Sequence, residues 1–344
     1  MPYVMSGDIG GTKALLAIYD SEQLKANNRA SPVYEKNLPS GRYDSLSHLV
    51  NSFLEGWDKE KPSACCLGIP GPVNDGKAYV TNLDWEVTEV EVAHETGIPK
   101  VRFINDFAAV GYSTHVLLPD DFLTFDHWSG VVHKSDSVPC TKKGVTAYLG
   151  AGTGLGAGFI VEGNVYPSEG GHISFSPIEG EDIEYMRFVR AKYNSDHVSF
   201  ERMVSGLGLH DLHDFYWQRL HSLAGPAIRQ HVLETEGRID IEFFAKCAET
   251  GDRYALKIFR KFFYYYGLFI SDMVVVFRPK NLFIAGGILA KNINLFTGSC
   301  LDEFKRGFLC KGRMRGFSET TPIHIMMNPN VGLMGATYYA SSML

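Results

Sequence analysis

The chain opens with Tyr3-Val4-Met5-Ser6-Gly7-Asp8-Ile9-Gly10-Gly11-Thr12, and apolar residues resume from Ala14 to Tyr19. Two apolar runs broken by a glycine pair read as strand, tight turn, strand. The pattern returns at Leu149-Gly150-Ala151-Gly152-Thr153-Gly154, flanked by the apolar runs Val145 to Leu149 and Gly156 to Val161. A short motif used twice suggests two related halves facing one another.

Outward from the first motif, Val33 to Leu38 reads as a third strand. Leu46, Leu49, Val50, Phe53, Leu54 and Trp57 keep helical spacing across Ser45 to Trp57. A buried strand (Ala64 to Ile69), a Pro-Gly-Pro turn, a helix (Thr88 to Thr96) and a strand (Val101 to Ile104) follow. Three strands and then alternating helices and strands describe one α/β unit. Residues 119 to 144 are polar and irregular and read as a connector with a surface loop. Beyond the second glycine motif the chain is mostly helical, at Ile183 to Tyr193, Leu223 to Thr235, Ile241 to Glu249 and Arg253 to Phe277. Strands are expected at Leu282 to Ala285 and Ile323 to Met327. Gly286-Gly287 should open a helix, and a last helix should run from Gly332 to Ser342.

With 344 residues the chain exceeds what one core usually holds, so two domains are expected. A net charge of -6 argues against a general binder of nucleic acid or anionic membrane. No stretch approaches the ~18 uncharged apolar residues of a membrane span. The six cysteines form no CxxC pair, and Cys65-Cys66 sit in an apolar run as buried thiols, which fits a reducing compartment. The start has no basic, long apolar leader, so a cytoplasmic protein is expected. The terminal Leu344 leaves open only a weak variant of a peroxisomal signal.

A strand-turn-strand around Gly10, Gly11 and Thr12 aligns backbone N–H groups that can hold phosphate oxygens, and Gly150, Gly152, Thr153 and Gly154 repeat the device. Asp8 stands just before the first turn, where a carboxylate can hold Mg²⁺ directly or through water. Gly286 and Gly287 ahead of a helix would turn its positive end to a nucleotide. Any one glycine pair is more simply a hairpin. Three such loops, one with an upstream Asp, favour a nucleotide. No GxxxxGK[ST] loop occurs, and the run after Gly154 reads as strand, not as the helix a Rossmann unit requires.

Asn105-Asp106 follows an apolar strand, where a carboxylate can accept a proton from a bound hydroxyl. Glu169-Gly170-Gly171-His172 puts a carboxylate and an imidazole together, and Glu201 precedes a glycine-rich apolar stretch. Such groups suit a polyol, whose hydroxyls both donate and accept. Singly each has a plainer reading: a helix N-cap, a structural histidine, a solvated charge.

Together these motifs resemble the bacterial-type glucokinases of the hexokinase, actin and Hsp70 superfamily, over nearly the whole chain. The resemblance rests on Gly7 to Thr12, Gly68-Ile69-Pro70-Gly71-Pro72, Thr81-Asn82-Leu83-Asp84-Trp85, Ile104 to Phe107, Leu149 to Gly156 and Glu169 to His172. It continues through Phe200-Glu201-Arg202, Ser205 to Leu209, Ala285 to Ile288, Lys311-Gly312-Arg313 and Asn328 to Gly335. It implies an α/β fold of two actin-like (ribonuclease H-like) domains with a cleft between them. Residues 1–117 plus 329–344 would form the small domain and 118–328 the large one. It implies transfer of the ATP γ-phosphoryl to the 6-hydroxyl of glucose, the first step of glycolysis. Asp106 would be the general base, and Asn82, Asn105, Asp106, Glu169, His172 and Glu201 would hold sugar. The glycine turns would hold ATP phosphates, Gly286 and Gly287 would border the adenosine, and Asp8 would orient Mg²⁺. His172 is followed by Ile173-Ser174-Phe175 with no cysteine nearby, so no zinc is expected. Glucose and ATP are the expected partners, within a homodimer. A kinase of another hexose and a non-catalytic sugar sensor on the same fold are the rivals. Residues 126 to 144 are longer than expected for compact members, and Lys305, Arg306, Lys311, Arg313 and Arg315 read as a solvated basic face.

Overall fold

The computed structural model describes residues 3–27, 29–80, 82–126 and 132–344. Strands β1 (Tyr3–Ile9), β2 (Ala14–Asp20), β3 (Tyr34–Leu38) and β4 (Ala64–Ile69) belong to the first sheet. Val73–Asn74, Lys77–Val80 and Trp85–Thr88 (β5, β6 and β7) make a small separate sheet, and β8 (Lys100–Asn105) completes the first. Its order is β3-β2-β1-β4-β8. The hairpin pairs Ile9 with Ala14, so Gly10 to Lys13 is the turn. β4 then runs parallel to β1, and β8 parallel to β4.

The second sheet contains β9 (Phe122–Phe125), β10 (Val132–Lys134), β11 (Val145–Ala151), β12 (Leu155–Val161), β13 (Asn164–Ser168), β14 (Asn281–Ala285) and β15 (Ile323–Met326). Its order is β10-β9-β15-β14-β11-β12-β13. β11, β12 and β13 form an antiparallel meander, and β14 and β15 add in parallel. The five strands β13-β12-β11-β14-β15 therefore repeat the order of the first sheet. The self-similarity of the two glycine motifs is the visible part of a topological repeat.

Residues 119 to 144 depart from the loop expectation. Phe122–Phe125 and Val132–Lys134 are strands that extend the second sheet beyond β15, with Phe122 and Phe125 both buried. Four residues, three of them apolar, were too short a signal to read as a strand. The middle of the expected loop, residues 127–131, lies outside the described residues. Sequence periodicity also missed the helices Asp106–Ser113, Gly206–Leu220 and Gly298–Phe308.

The helix Arg253–Phe277 runs through the larger apolar core, and the side chains of Tyr264, Tyr265 and Tyr266 are all buried. Asp252 caps its start by accepting from the N–H groups of Tyr254 and Ala255, both at 2.9 Å. The last helix, Val331–Ser341, returns to the first sheet. Leu333, Ala336 and Ala340 share a core cluster with Val4 and Ala17, and Ser6 and Thr337 hydroxyls bond at 2.7 Å. This helix also packs on Asp106–Ser113 so closely that a Cβ on Gly335 would stand 1.7 Å from the carbonyl oxygen of Ala109. On the other side of Asp106–Ser113, Phe107 stacks on Tyr148 of the second sheet at 5.5 Å.

The chain leaves the first sheet near Val116 and returns at Met327 to Asn330, and Asp121 ties the two passages. Its carboxylate accepts from the Leu118 N–H (2.7 Å), from Asn328 Nδ2 (2.8 Å) and from the Arg29 guanidinium. Its carbonyl accepts from the Met327 N–H at 2.7 Å. These bonds hold the Asp121 carboxyl below its usual range, against the opposing effect of burial.

Candidate active site

The first glycine turn closes on itself, with the Gly10 N–H donating to the Lys13 carbonyl at 2.9 Å. Ser40 buttresses it, its hydroxyl donating to the Gly10 carbonyl at 2.7 Å and its N–H to the Thr12 carbonyl at 3.1 Å. No sequence signal pointed to Ser40. The second turn closes alike, the Gly152 N–H meeting the Gly154 carbonyl at 2.8 Å. Gly286 borders it with φ +90°, and a Cβ there would lie 2.3 Å from the Ala151 carbonyl oxygen, so only glycine fits. The helix that follows, Gly287–Lys291, spans only five residues. A helix does open at Gly287 as expected, but its five residues make its dipole a small part of any nucleotide contact.

Asp8 is the last residue but one of β1, just before the turn. Burial pushes its carboxyl above the usual carboxylate range. Among the described residues its side chain makes no hydrogen bond or ion pair, and no group of three or more His, Cys, Asp or Glu side chains gathers to hold a metal. One carboxylate beside a phosphate turn fits Mg²⁺ carried mainly by nucleotide phosphates and water.

Asn105 and Asp106 stand where β8 passes into the helix Asp106–Ser113. Asn105 Oδ1 accepts from the Ala108 N–H at 2.9 Å, so the N-cap reading is correct, while its Nδ2 donates to the Gly71 carbonyl at 3.0 Å. Asp106 follows in the first helical turn, its Oδ1 accepting from the Phe107 N–H at 2.7 Å and from Asn105 Nδ2 at 3.2 Å. Burial raises the Asp106 carboxyl to about 6, and the negative charges of Asp8 and Glu169 add to the rise. The carboxylates of Asp8 on β1, Asp106 just past β8 and Glu169 just past β13 thus lie close enough to act on one another's charge.

Glu169 and His172 flank the turn after β13, both exposed, with Glu169 Oε2 3.8 Å from His172 Nε2. A cleft of about 440 Å³ between the two sheets is lined by Asn105, Ala108, Ser168 and Glu169, with Pro72 and Val73 opposite. Glu201 is not a solvated charge: its Oε2 accepts from the Leu155 N–H at 3.0 Å, beside the second glycine turn. Asn82 is exposed and lies against the first glycine turn, where a Cβ on Gly11 would come 2.9 Å from Asn82 Cβ. It therefore sits by the expected phosphate turn, and among the described residues it makes no hydrogen bond to Glu169 or His172. Its neighbour Thr81 lies outside the described residues. The basic cluster is partly engaged: Arg306 pairs with Glu179 and Glu303, and Lys311 Nζ lies 2.7 Å from Asp272.

The family model for glucokinase matches residues 5–343. The chain belongs to the glucokinase family. It is 34% identical over 356 aligned residues to the glucokinase of Trichormus variabilis, covering 99% of each chain, and 31% identical to that of Synechocystis sp., covering 98% and 97%. Among solved structures, the glucokinase of Balamuthia mandrillaris in complex with glucose superposes with a TM-score of 0.80 at 22% identity, covering 98% of this chain and 93% of that one. A glucokinase from an Antarctic psychrotroph gives a TM-score of 0.76 at 24% identity, covering 99% of both. A ROK family glucokinase of Streptomyces griseus, in complex with glucose and AMPPNP, gives 0.66 at 19%, covering 99% of both chains. This glucokinase fold is the actin-like one, and the chain is a sugar kinase. No helix among the described residues is long and apolar enough to cross a membrane.

If the first glycine turn of this glucokinase receives phosphate, Gly11→Val should weaken Mg-AMPPNP at least tenfold, with glucose affinity kept within threefold, by calorimetry. Equal loss of both would identify Asn82, displaced by the new side chain, as the damaged group.

Proposed function

We propose that the chain phosphorylates glucose at its 6-hydroxyl with ATP, and that Asp106 is the general base. The observation that carries the reading is the Asp106 carboxyl, held at the mouth of a helix and raised to about 6 by burial and by two neighbouring carboxylates. A base poised near the working pH both loses its own proton and accepts another. Asp106 orients the hydroxyl in line with the γ-phosphorus and takes its proton as the new O–P bond forms and the bond from the γ-phosphorus to the bridging oxygen breaks, with ADP leaving. Backbone N–H groups of the turns at Gly10 to Thr12 and Gly150 to Gly154 hold phosphate oxygens, and their fixed orientation lowers the cost of the developing charge. Mg²⁺, when bound with the nucleotide near Asp8, supplies further neutralisation of phosphate charge.

The Glu169, His172 and Asn105 side chains supply a carboxylate, an imidazole and an amide to sugar hydroxyls. Residues 1–117 with 329–344 act as one domain and 118–328 as the other, with the passages tied by Asp121 as the hinge. Closing them over sugar removes water, the competing acceptor. The exposure of Glu169 and His172 supports an open resting cleft. A coupled assay with ATP against glucose, mannose, fructose and N-acetylglucosamine tests the activity, and turnover of another hexose tenfold above glucose would overturn the substrate assignment. Glu169→Gln keeps the shape but turns one acceptor into a donor. A hydrogen bond to a charged group is worth roughly 1.5–3 kcal/mol, so the KM for glucose should rise about tenfold or more, and an unchanged KM would remove Glu169 from the site.

A further inference from the structure

The second phosphate turn and the sugar-facing segment are joined at two points. Glu201 Oε2 accepts the Leu155 N–H at 3.0 Å, and the Gly206 N–H donates to the Gly152 carbonyl at 2.8 Å. The same oxygen would lie 2.6 Å from a Cβ on Gly154, so the carboxylate rests directly on the turn. The short helical turn Phe200–Arg202 that carries Glu201 hangs in its turn from the stretch after His172. The Phe200 N–H donates to the Ile173 carbonyl at 3.0 Å, the Phe175 N–H to the Val198 carbonyl at 2.8 Å, and Ser174 and Ser199 form a bridge. Phe200 is buried edge-on against Phe175 at 5.3 Å, which fixes the direction in which Glu201 projects.

We propose that Glu201 is a positioning residue for the nucleotide as well as a sugar ligand: one oxygen holds the 152–154 turn in shape, and the other is left for a sugar hydroxyl. The proposal rests on the sugar-kinase reading of the cleft and extends it. Two effects of the carboxylate oppose each other. Its negative charge near a phosphate turn disfavours the nucleotide, whereas its bond to the Leu155 N–H keeps the turn's N–H groups aligned. Side-chain substitutions separate the two. Gln keeps an acceptor oxygen for Leu155 and removes the charge. Ala removes both. Asp keeps the charge but is one methylene too short to reach.

The test is the affinity of Mg-AMPPNP measured by calorimetry without sugar, with thermal melts showing each variant folded. Glu201→Ala and Glu201→Asp should weaken the nucleotide at least fivefold, and Glu201→Gln should stay within twofold of wild type or bind tighter. The Asp variant keeps the outcome readable should the Ala variant fail to fold. An Ala or Asp variant that binds Mg-AMPPNP as tightly as wild type, or a Gln variant that loses as much as Ala, would overturn the proposal. Glucose titrations run alongside test the underlying reading separately. If all three variants keep wild-type glucose affinity, Glu201 is no sugar ligand, whatever the nucleotide does.

Discussion

Asp106→Asn should lower kcat by ~10²–10⁴-fold, the usual cost of losing a general base. Glucose affinity should change by less than about tenfold, because only one hydrogen bond among several is altered. Asn fits the same space and can still accept from the Phe107 N–H that now meets Asp106 Oδ1 at 2.7 Å. It cannot take the hydroxyl proton. Tryptophan fluorescence should still report cleft closure on glucose addition. Retention of more than a tenth of wild-type turnover would rule out Asp106 as base and make Glu169 the first carboxylate to test in its place.

The same carboxyl sets a pH profile. With a free-enzyme value near 6, kcat/KM for glucose should fall about tenfold per pH unit below 6 and level off above it. The stability consequence has the opposite sense. A folded-state value raised from 3.8 to about 6 means that protonation favours the fold; that gain is complete below 3.8 and is lost as pH rises through 6. At pH 7 the ionised group is therefore a burden, and the inactive Asn variant should be more stable than wild type by about 1–3 kcal/mol. The difference should vanish near pH 3.5. A variant less stable than wild type at pH 7 would mean that bonds made by the carboxylate outweigh its desolvation.

The parts of this molecule with strong local signals were readable from sequence. Ala64–Ile69 is a run of six buried residues, and Arg253–Phe277 has a cap, a long apolar face and an end at Arg278 with φ 45°, so both fell where periodicity put them. The glycine turns were readable because glycine pairs between apolar runs have few alternatives. The helix Asp106–Ser113 was not, because it is wedged between Val331–Ser341 and the second sheet, and small residues on all sides replace the single apolar stripe. Gly111 illustrates this: a Cβ there would meet the Tyr148 ring at 2.6 Å, so the residue that weakens the helical signal is the one that lets the sheet approach. Among the candidate site residues, Asp8, Asp106 and Glu169 were picked out by residue type and neighbourhood, and the charges of Asp8 and Glu169 both act on Asp106. Glu201 was singled out by its place before a glycine-rich apolar stretch, not by its partner. Its bond to Leu155 joins positions 46 apart, which no local pattern encodes.

Lys261→Met should destabilise the fold by about 3–5 kcal/mol, the range for breaking a buried ion pair from one side. Lys261 and Asp182 are both buried, and Lys261 Nζ lies 2.5 Å from Asp182 Oδ1 and 3.1 Å from Glu181 Oε2. Asp182 stands in the first turn of the helix Gly180–Tyr193, where its Oδ2 accepts from the N–H groups of Ile178 and Glu179 at 3.1 and 2.9 Å. The pair therefore pins the start of that helix to the long helix Arg253–Phe277. Met fills the aliphatic volume over Tyr264 and Tyr265 but leaves the carboxylate with only Tyr265, at 3.1 Å, and two N–H groups to offset its burial. Adding Asp182→Asn removes the orphaned charge while keeping an oxygen for those N–H groups, so the double variant should recover more than half of the loss. Neither side chain lines the cleft, so kcat and both KM values measured well below the melting temperature should stay within threefold of wild type. Urea denaturation gives the stabilities. A single-variant loss under about 1 kcal/mol would show that the carboxylate takes up a proton or water at little cost, and that the helix is held by its apolar contacts alone.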